Sequence, residues 1–499
     1  MRHIWPAQGS AIGTGSVSCV RVRDDDLVLS YGPGMAAEDT TRTLLEGCWS
    51  ALGGEPRVLE RVTLTGEAAG LLPSRLPALP VMLAAVSAAT VAASVLDATR
   101  TGGEPAPVFV DAEHVALAAR SERYARIGGT PPQDLFAPLS RFWQTCDGWL
   151  RLHANYPWHR ERALRVLGVQ EHPEAVAEAV LRWRGEDLED ALAAAGALGF
   201  AVRTPEQWRA HPQGRAVASL PLALRQAQPG PPRPLIAGRG AAGVRVLDLT
   251  RVIAGPVATR TLAAWGAHVL RLDSPDLPEI AAQAVDTLPG KRSADLDFRT
   301  AEGSARLQQL LAEADVLVQG YRPGALARFG LDPEVLAAHH PHLTVVTLSA
   351  WGPVGPWAMR RGFDSLVQCP TGIAALEGTP QAPGSLPAQV LDHATGYLAA
   401  AAALLSLAGV ARGEQPKSVL LSLAQTAGWL LSTGTTVPEP ARDLPPDGHL
   451  VTLAGAGQPA QVVAPPGRTA HLTPSWSRTT QLGADPTTFP DTQPSRCPG

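Results

Sequence analysis

The chain of 499 residues is long enough for two or three domains, each able to bury a core. Hydrophobic residues at 45%, charged residues at 18% and a net charge of -4 describe a globular protein without the basic stripe that nucleic-acid binding needs. Its five cysteines (Cys19, Cys48, Cys146, Cys369, Cys497) are scattered, with no Cys-x-x-Cys, which argues against a disulfide framework or a zinc site.

The start, Met1-Arg-His-Ile-Trp-Pro6, lacks the apolar core of a secretory signal, so a cytoplasmic location is expected. Residues 27–31 read as a strand and 40–52 as a helix. The first clear element is a helix at 81–98, stopped by Thr101-Gly-Gly103 and followed by a strand at 107–110 and a helix at 111–123. Two β-rich runs, 142–146 and 149–153, flank Asp147-Gly148, the strongest short hairpin signal. Helices at 158–167, 173–183 and 188–197, then a strand at 200–203, complete a small α+β unit. Residues 226–240, rich in Pro and Gly, read as a linker.

From residue 244 the pattern becomes regular. Strands at 244–249, 269–273, 294–298, 316–319 and 343–349 alternate with helices at 256–265, 301–314 and 333–340. This predicts an α/β fold with a doubly wound, mostly parallel, Rossmann-like sheet. The apolar runs 81–96 and 397–411 fall short of the roughly 20 residues needed to cross a bilayer and read as buried helices, with no membrane partner. Beyond about residue 438 the Pro/Thr-rich chain is expected to lie across the surface or to lack fixed structure. The expected domains are therefore 1–125, 126–225, a linker 226–241, 242–437, and a tail 438–499. The order helix, Gly turn, strand, helix occurs in both the first and last of the folded segments, an echo in which only the later copy has an acid before its helix.

That acid is Asp392, in Gln389-Val-Leu-Asp392-His-Ala-Thr-Gly396, at the head of an Ala/Leu-rich helix. It reads either as an N-cap for the helix or as a nucleophile held at its dipole. Gly362-Phe363-Asp364 forms a second acidic site. Gly238-Arg-Gly240-Ala-Ala-Gly243 mimics a dinucleotide fingerprint but precedes a strand instead of following one, so it carries no such function. Arg322 and Arg328 follow a strand, where a parallel sheet places its ligand crevice, while Lys291-Arg292 sit at the other end of theirs; solvated surface cations are the equal alternative. The histidine pairs His153/His159 and His339/His340 have no partners at ligand spacing, and no metal site is expected.

Several segments in order now resemble the family III CoA-transferases, the group that includes formyl-CoA and carnitine CoA-transferases and the α-methylacyl-CoA racemases. They are Val246-Leu-Asp-Leu-Thr-Arg-Val-Ile-Ala-Gly-Pro256, Gly290-Lys-Arg-Ser-Ala-Asp-Leu-Asp297, Ala314 through Leu331 with its Tyr321-Arg-Pro-Gly324, and Arg361-Gly-Phe-Asp-Ser-Leu-Val-Gln368. The resemblance implies that Asp392 is the catalytic aspartate and that coenzyme A is contacted near Val252, Ile253, Lys291, Arg292, Tyr321, Arg322 and Arg328. Asp364 and Gln389 would be auxiliary. Members follow this half with a small α+β domain; here its likeness comes earlier, from Phe136 to Gly214, so the chain resembles a rearranged, fused form with an acid-less half copy first. Ordinary members form interlocked dimers, and this layout implies a homodimer or an intrachain pseudo-dimer.

The expected function is transfer of coenzyme A between an acyl-CoA and a carboxylic acid through aspartyl anhydride and aspartyl-CoA intermediates, with no cofactor beyond the CoA thioester substrate. Alternatives are an acyl-CoA racemase, which has Phe363 where family racemases place a histidine, and a non-catalytic CoA-binding protein.

Overall fold

The computed structural model describes residues 37–130, 136–379, 381–455 and 457–490; the strand expected at 27–31 and Cys19 and Cys497 lie outside the described residues. The first part runs α1 (Ala37–Leu52), β1 (Val62–Thr65), α2 (Ala78–Thr101), β2 (Val108–Asp111), α3 (Ala112–Ala118) and β3 (Arg126–Ile127). The α+β unit follows as β4 (Phe142–Gln144), β5 (Trp149–Leu152), α4 (Pro157–Leu167), α5 (Pro173–Val180), α6 (Gly185–Ala194) and β6 (Gly199–Ala201), then α7 (Pro205–Ala210) and α8 (Pro212–Ala218). Its expected hairpin forms, with Trp143 opposite Leu150, and the unit has its own core around Leu150, Val176, Leu188 and Leu192.

The large sheet uses β7 (Leu224–Ala227), β8 (Arg245–Leu249), β9 (His268–Asp273), β10 (Lys291–Asp295), β11 (Val316–Gln319), β12 (Thr344–Ser349) and β13 (Lys417–Ser422). Its helices are α9 (Ala254–Ala264), α10 (Ala281–Thr287), α11 (Ala301–Glu313), α12 (Pro333–His339), α13 (Asp364–Val367), α14 (Ile373–Glu377), α15 (Val390–Ala411) and α16 (Leu423–Leu431). Strand order is β10-β9-β8-β11-β12-β13-β7, parallel throughout except for β7, so the mostly parallel doubly wound sheet is as expected. Alternation along the strands sends side chains to opposite faces. Val316 and Val318 of β11 join the core beneath α9 and α15, whereas Leu317 joins the core with Leu307 and Leu310 of α11.

Four expectations change. Residues 224–227, half inside the expected linker, form the antiparallel edge strand β7. Strand β10 begins at Lys291, three residues before the expected strand, because Lys291 and Ser293 are buried by partners that the sequence pattern does not reveal. The first part has no core of its own: Leu44, Met82 and Val91 belong to the same core as Leu398 and Leu404, since α2 packs along α15. These two helices reach 24 and 22 residues, long and apolar enough to cross a membrane, but 89% of each apolar window is buried inside the protein.

The tail is the fourth. It forms β14 (Leu450–Leu453), β15 (Ala460–Val463) and β16 (Arg468–Thr469). Strand β15 pairs with β3, and β16 pairs with β2. Trp476 then seats its ring in a notch where Gly290, at φ 77°, leaves no room for a Cβ. The Trp476 indole donates to the Arg260 carbonyl oxygen at 2.9 Å. Replacing Trp476 by Ala is expected to cost about 3 kcal/mol or more, read as a lower midpoint in urea denaturation. An unmoved midpoint would return the tail to the status of surface chain.

Candidate functional site

A helix whose start is buried must find acceptors inside the protein for its first N–H groups. Helix α15 is such a helix: Val390 through Gly396 are all buried. Its N-cap is Gln389, which supplies no side-chain cap, so Asp392 is not the cap but the third helical residue. The capping acceptor comes from α13: Asp364 accepts from the Asp392 N–H at 3.0 Å with one carboxylate oxygen and from the Gln368 amide with the other. Gln368 in turn accepts from the Leu386 N–H at 2.9 Å. Asp364, expected as auxiliary, thus holds the helix head, and the Asp392 carboxylate has no hydrogen bond or ion pair among the described residues.

Three carboxylates converge here. Burial, then the charges of Asp364 and Glu122, push Asp392 well above the usual carboxylate range. Burial lifts Asp364 to about 6 despite its hydrogen bonds. Glu122 lies in the turn that follows α3, and its carboxylate meets His393 Nε2 at 3.3 Å, both groups buried. Burial raises Glu122, but the His393 contact outweighs it and holds Glu122 below its ordinary value. Sequence reasoning missed Glu122, since nothing links it to His393 across 271 positions.

The strand order reverses between β8 and β11, the position at which a parallel sheet places its ligand crevice. The turn after β8 holds Val252 at φ 69°, the only non-glycine residue with positive φ among the described residues. A β-branched residue there costs of order 1–3 kcal/mol. Glu279 secures it by accepting from the Val252 N–H at 3.0 Å. Although burial opposes it, Arg251 and Arg271 hold Glu279 down at about 2. Ile253 is buried at the N-cap of α9. Tyr321, partly buried, lies near Arg251 and Glu279, so the two turns face each other.

Arg322 is exposed and lines a cavity of about 180 Å³ together with Met359, Arg360, Arg361 and the β6 approach at Gly199 and Phe200. Arg360 is paired with Asp190, but Arg322 and Arg361 form no ion pair among the described residues. Arg328 is exposed and lies over the Phe329 ring at 4.7 Å. Lys291 departs from expectation. It is fully buried, and its ammonium contacts Asp248 at 2.9 Å, Thr259 at 2.6 Å and the Pro256 carbonyl at 3.1 Å. No phosphate reaches it there. Arg292, at the same strand end, donates to the Thr488 carbonyl of the tail at 3.3 Å and is likewise away from the crevice. The one group of metal-ligand type among the described residues, Asp111, Glu113 and His449, is already engaged by Arg442, which meets Glu113 at 2.7 Å.

Fold and site define an α/β protein with exposed arginines beyond β11 at the switch point and a buried carboxyl without a partner at a helix head. Residues 241–448 match the model of CoA-transferase family III. An acyl-CoA transferase of Gibberella moniliformis is 31% identical over 286 residues, 52% of this chain and 50% of that protein. A succinate–glutarate CoA-transferase of Agrobacterium fabrum is 30% identical over 209 residues, 38% of this chain and 52% of that one. The crystal structure of Rv3272 from Mycobacterium tuberculosis, at 31% identity, covers 41% of this chain and 57% of its own with a TM-score of 0.37. The chain spans about half the length of the curated relatives it matches.

Two outcomes check the site. Lys291→Met strands the Asp248 carboxylate in the interior and is expected to cost about 3–5 kcal/mol in urea denaturation. Asp392→Asn is expected to raise the melting temperature. An acid whose folded pKa is raised strains the fold only when ionised, so the gain is widest at alkaline pH and closes as pH falls. Melting curves across pH that show no such convergence would contradict the reading of Asp392 as a strained acid.

Proposed function

We propose that this protein transfers coenzyme A from an acyl-CoA to a carboxylic acid, with Asp392 as nucleophile. The observation that carries the reading is the division of labour between the two aspartates: Asp364 caps α15, and the Asp392 carboxylate is left buried without a partner. Such a group is costly to keep unless it reacts.

The Asp392 carboxylate attacks the thioester carbonyl, and the C–S bond breaks to release CoA thiolate and leave an aspartyl anhydride. The thiolate attacks the aspartyl carbonyl, releasing the donor's carboxylate and giving an aspartyl-CoA thioester. The acceptor carboxylate displaces the thiolate to form a second anhydride. The thiolate then attacks the acceptor's acyl carbon, forming the new acyl-CoA and freeing Asp392. Both kinds of intermediate hydrolyse if water enters, and Asp392 is only 6% exposed. Val252, Ile253 and Tyr321 would line the CoA path, with Arg322 and Arg328 toward its phosphates and Arg361 beside them. Lys291 and Arg292 leave this set.

Racemisation needs two groups that exchange an α-proton. His393 is turned to Glu122, and Phe363 has no proton to offer, so transfer is favoured. A protein that only bound CoA would have no use for an ionisable group buried without a partner. Residues 1–225 are read as a rearranged half copy, whose fusion imitates within one chain, or doubles in a homodimer, the pairing expected of the family.

Incubation with a panel of acyl-CoA thioesters followed by hydroxylamine is expected to leave a hydroxamate on the peptide carrying Asp392, absent in Asp392→Asn. Labelling should fall as pH drops, because burial and the charges of Asp364 and Glu122 raise Asp392 well above the usual carboxylate range and the protonated acid does not attack. Incorporation of solvent α-protons without a mark would point to the racemase, and neither result to a binding protein.

A further inference from the structure

The first part of the chain has Pro77, not an acid, at the head of its own long helix α2, yet one of its turns reaches the acid site. Residues Ser121–Arg123 form a single tight turn after α3. Each of its three side chains holds a different piece of the large α/β part. Ser121 donates to Asp286 at 2.9 Å and accepts from Arg260 at 3.0 Å. Glu122 meets His393 Nε2 at 3.3 Å. Arg123 donates to the Pro387 carbonyl at 2.8 Å. Pro387 lies two residues before the N-cap of α15, and His393 directly follows Asp392. The turn therefore grips the chain on both sides of the reacting acid.

Within that grip the two charged residues differ. Arg123 is exposed, whereas Glu122 is buried at 5% exposure and His393 is fully buried. His393 Nδ1 has no partner, so Glu122 makes the ring's one hydrogen bond among the described residues. Holding a ring in place needs no charge, since a neutral amide of the same size would also accept from it. A buried carboxylate is the costlier choice. What it adds is a negative charge at a fixed place, with Arg123 at 3.9 Å on its outer side and Arg260 of α9 also within its field.

The charged and titratable groups around Asp392 are thus Asp364 on α13, Glu122 on the turn and His393 on α15 itself. Asp364 is spent on capping the helix. Attack on a thioester moves negative charge off the Asp392 carboxylate and onto the thioester oxygen and sulfur. A like charge beside Asp392 therefore opposes the resting carboxylate more than the transition state, which raises the rate.

We propose that Glu122 is a positioning residue for the reaction: held by His393 and Arg123, it ties the head of α15 to the first part and sets a fixed negative charge beside the attacking carboxylate. The inference rests on the transfer reading and gives the first part a share in it.

The test uses the full chain carrying Glu122→Gln, which keeps the size and the acceptor and removes the charge. Hydroxylamine labelling of Asp392 is followed against pH. Its midpoint is expected at lower pH than in the wild type, because a carboxyl relieved of a like charge ionises earlier. The alkaline plateau rate should fall, with half-saturation by acyl-CoA unchanged. Glu122→Asp, which keeps the charge, should stay closer to the wild type in both. A role in folding alone would lower the melting temperature and leave the midpoint where it was. A folded Glu122→Gln with the wild-type midpoint and plateau overturns the proposal. His393→Asn removes the group that keeps Glu122 ionised and is expected to move the midpoint the same way, so it serves if Glu122→Gln does not fold. A wild-type midpoint in the ordinary carboxylate range overturns the proposal whether or not either variant folds.

A second measurement needs no turnover. The gain in melting temperature from Asp392→Asn at alkaline pH should be smaller in the Glu122→Gln background than in the wild type. Equal gains sink the Glu122 assignment alone. Unequal gains without any labelling sink the transfer reading instead.

Discussion

The constraint from which most of this structure follows is the burial of helix α15 on every side. It lies between α2 and α9, and both contacts depend on small residues. A Cβ at Gly396 would come within 2.6 Å of the Ala254 carbonyl oxygen, so the start of α9 can approach only because that position is glycine. With its head buried, the helix requires an internal acceptor for its first N–H groups. Asp364 provides one. That leaves two carboxyls close together in a low-dielectric interior, where like charges cannot both ionise freely. The helix supplies the scaffold, and the same burial supplies the reactivity.

The remaining supports radiate from this point. Tail residue Trp476 binds the Arg260 carbonyl, the Arg260 side chain holds Asp286 and Ser121, and Ser121 is followed by Glu122, which meets His393. Each contact joins segments far apart in the chain. The acid site is therefore assembled from the first part, the large sheet and the tail together, with the α+β unit closing it through the His153–Phe363 stack.

What was legible in the sequence was local. Alternating strands and helices gave the doubly wound sheet, Asp147-Gly148 marked the hairpin of the α+β unit, and Asp392 stood out at the head of an Ala-rich helix. What escaped was pairing at long range. The burial of Lys291 follows from Asp248, which faces it from β8, two strands away in the sheet and 43 positions away in the chain. The cap on α15 is 28 positions distant, so Asp392 itself looked like the cap. Strand β7 was hidden because an edge strand needs hydrogen bonds on one side only and tolerates the prolines that follow it. Glu122 carried no local signal at all. Its meaning lies in the His393 ring that it faces.

The pairing of β16 with β2 has a consequence for how the chain is made. Positions 108 and 109 find their partners at 468 and 469, so the small sheet of the first part stays open along one edge through most of synthesis. The same holds for β3, which waits for β15. An unpaired edge beside a long apolar helix is a surface that other nascent chains can join. The molecule is thus completed from its far end. Its earliest-made sheet is the last to be closed.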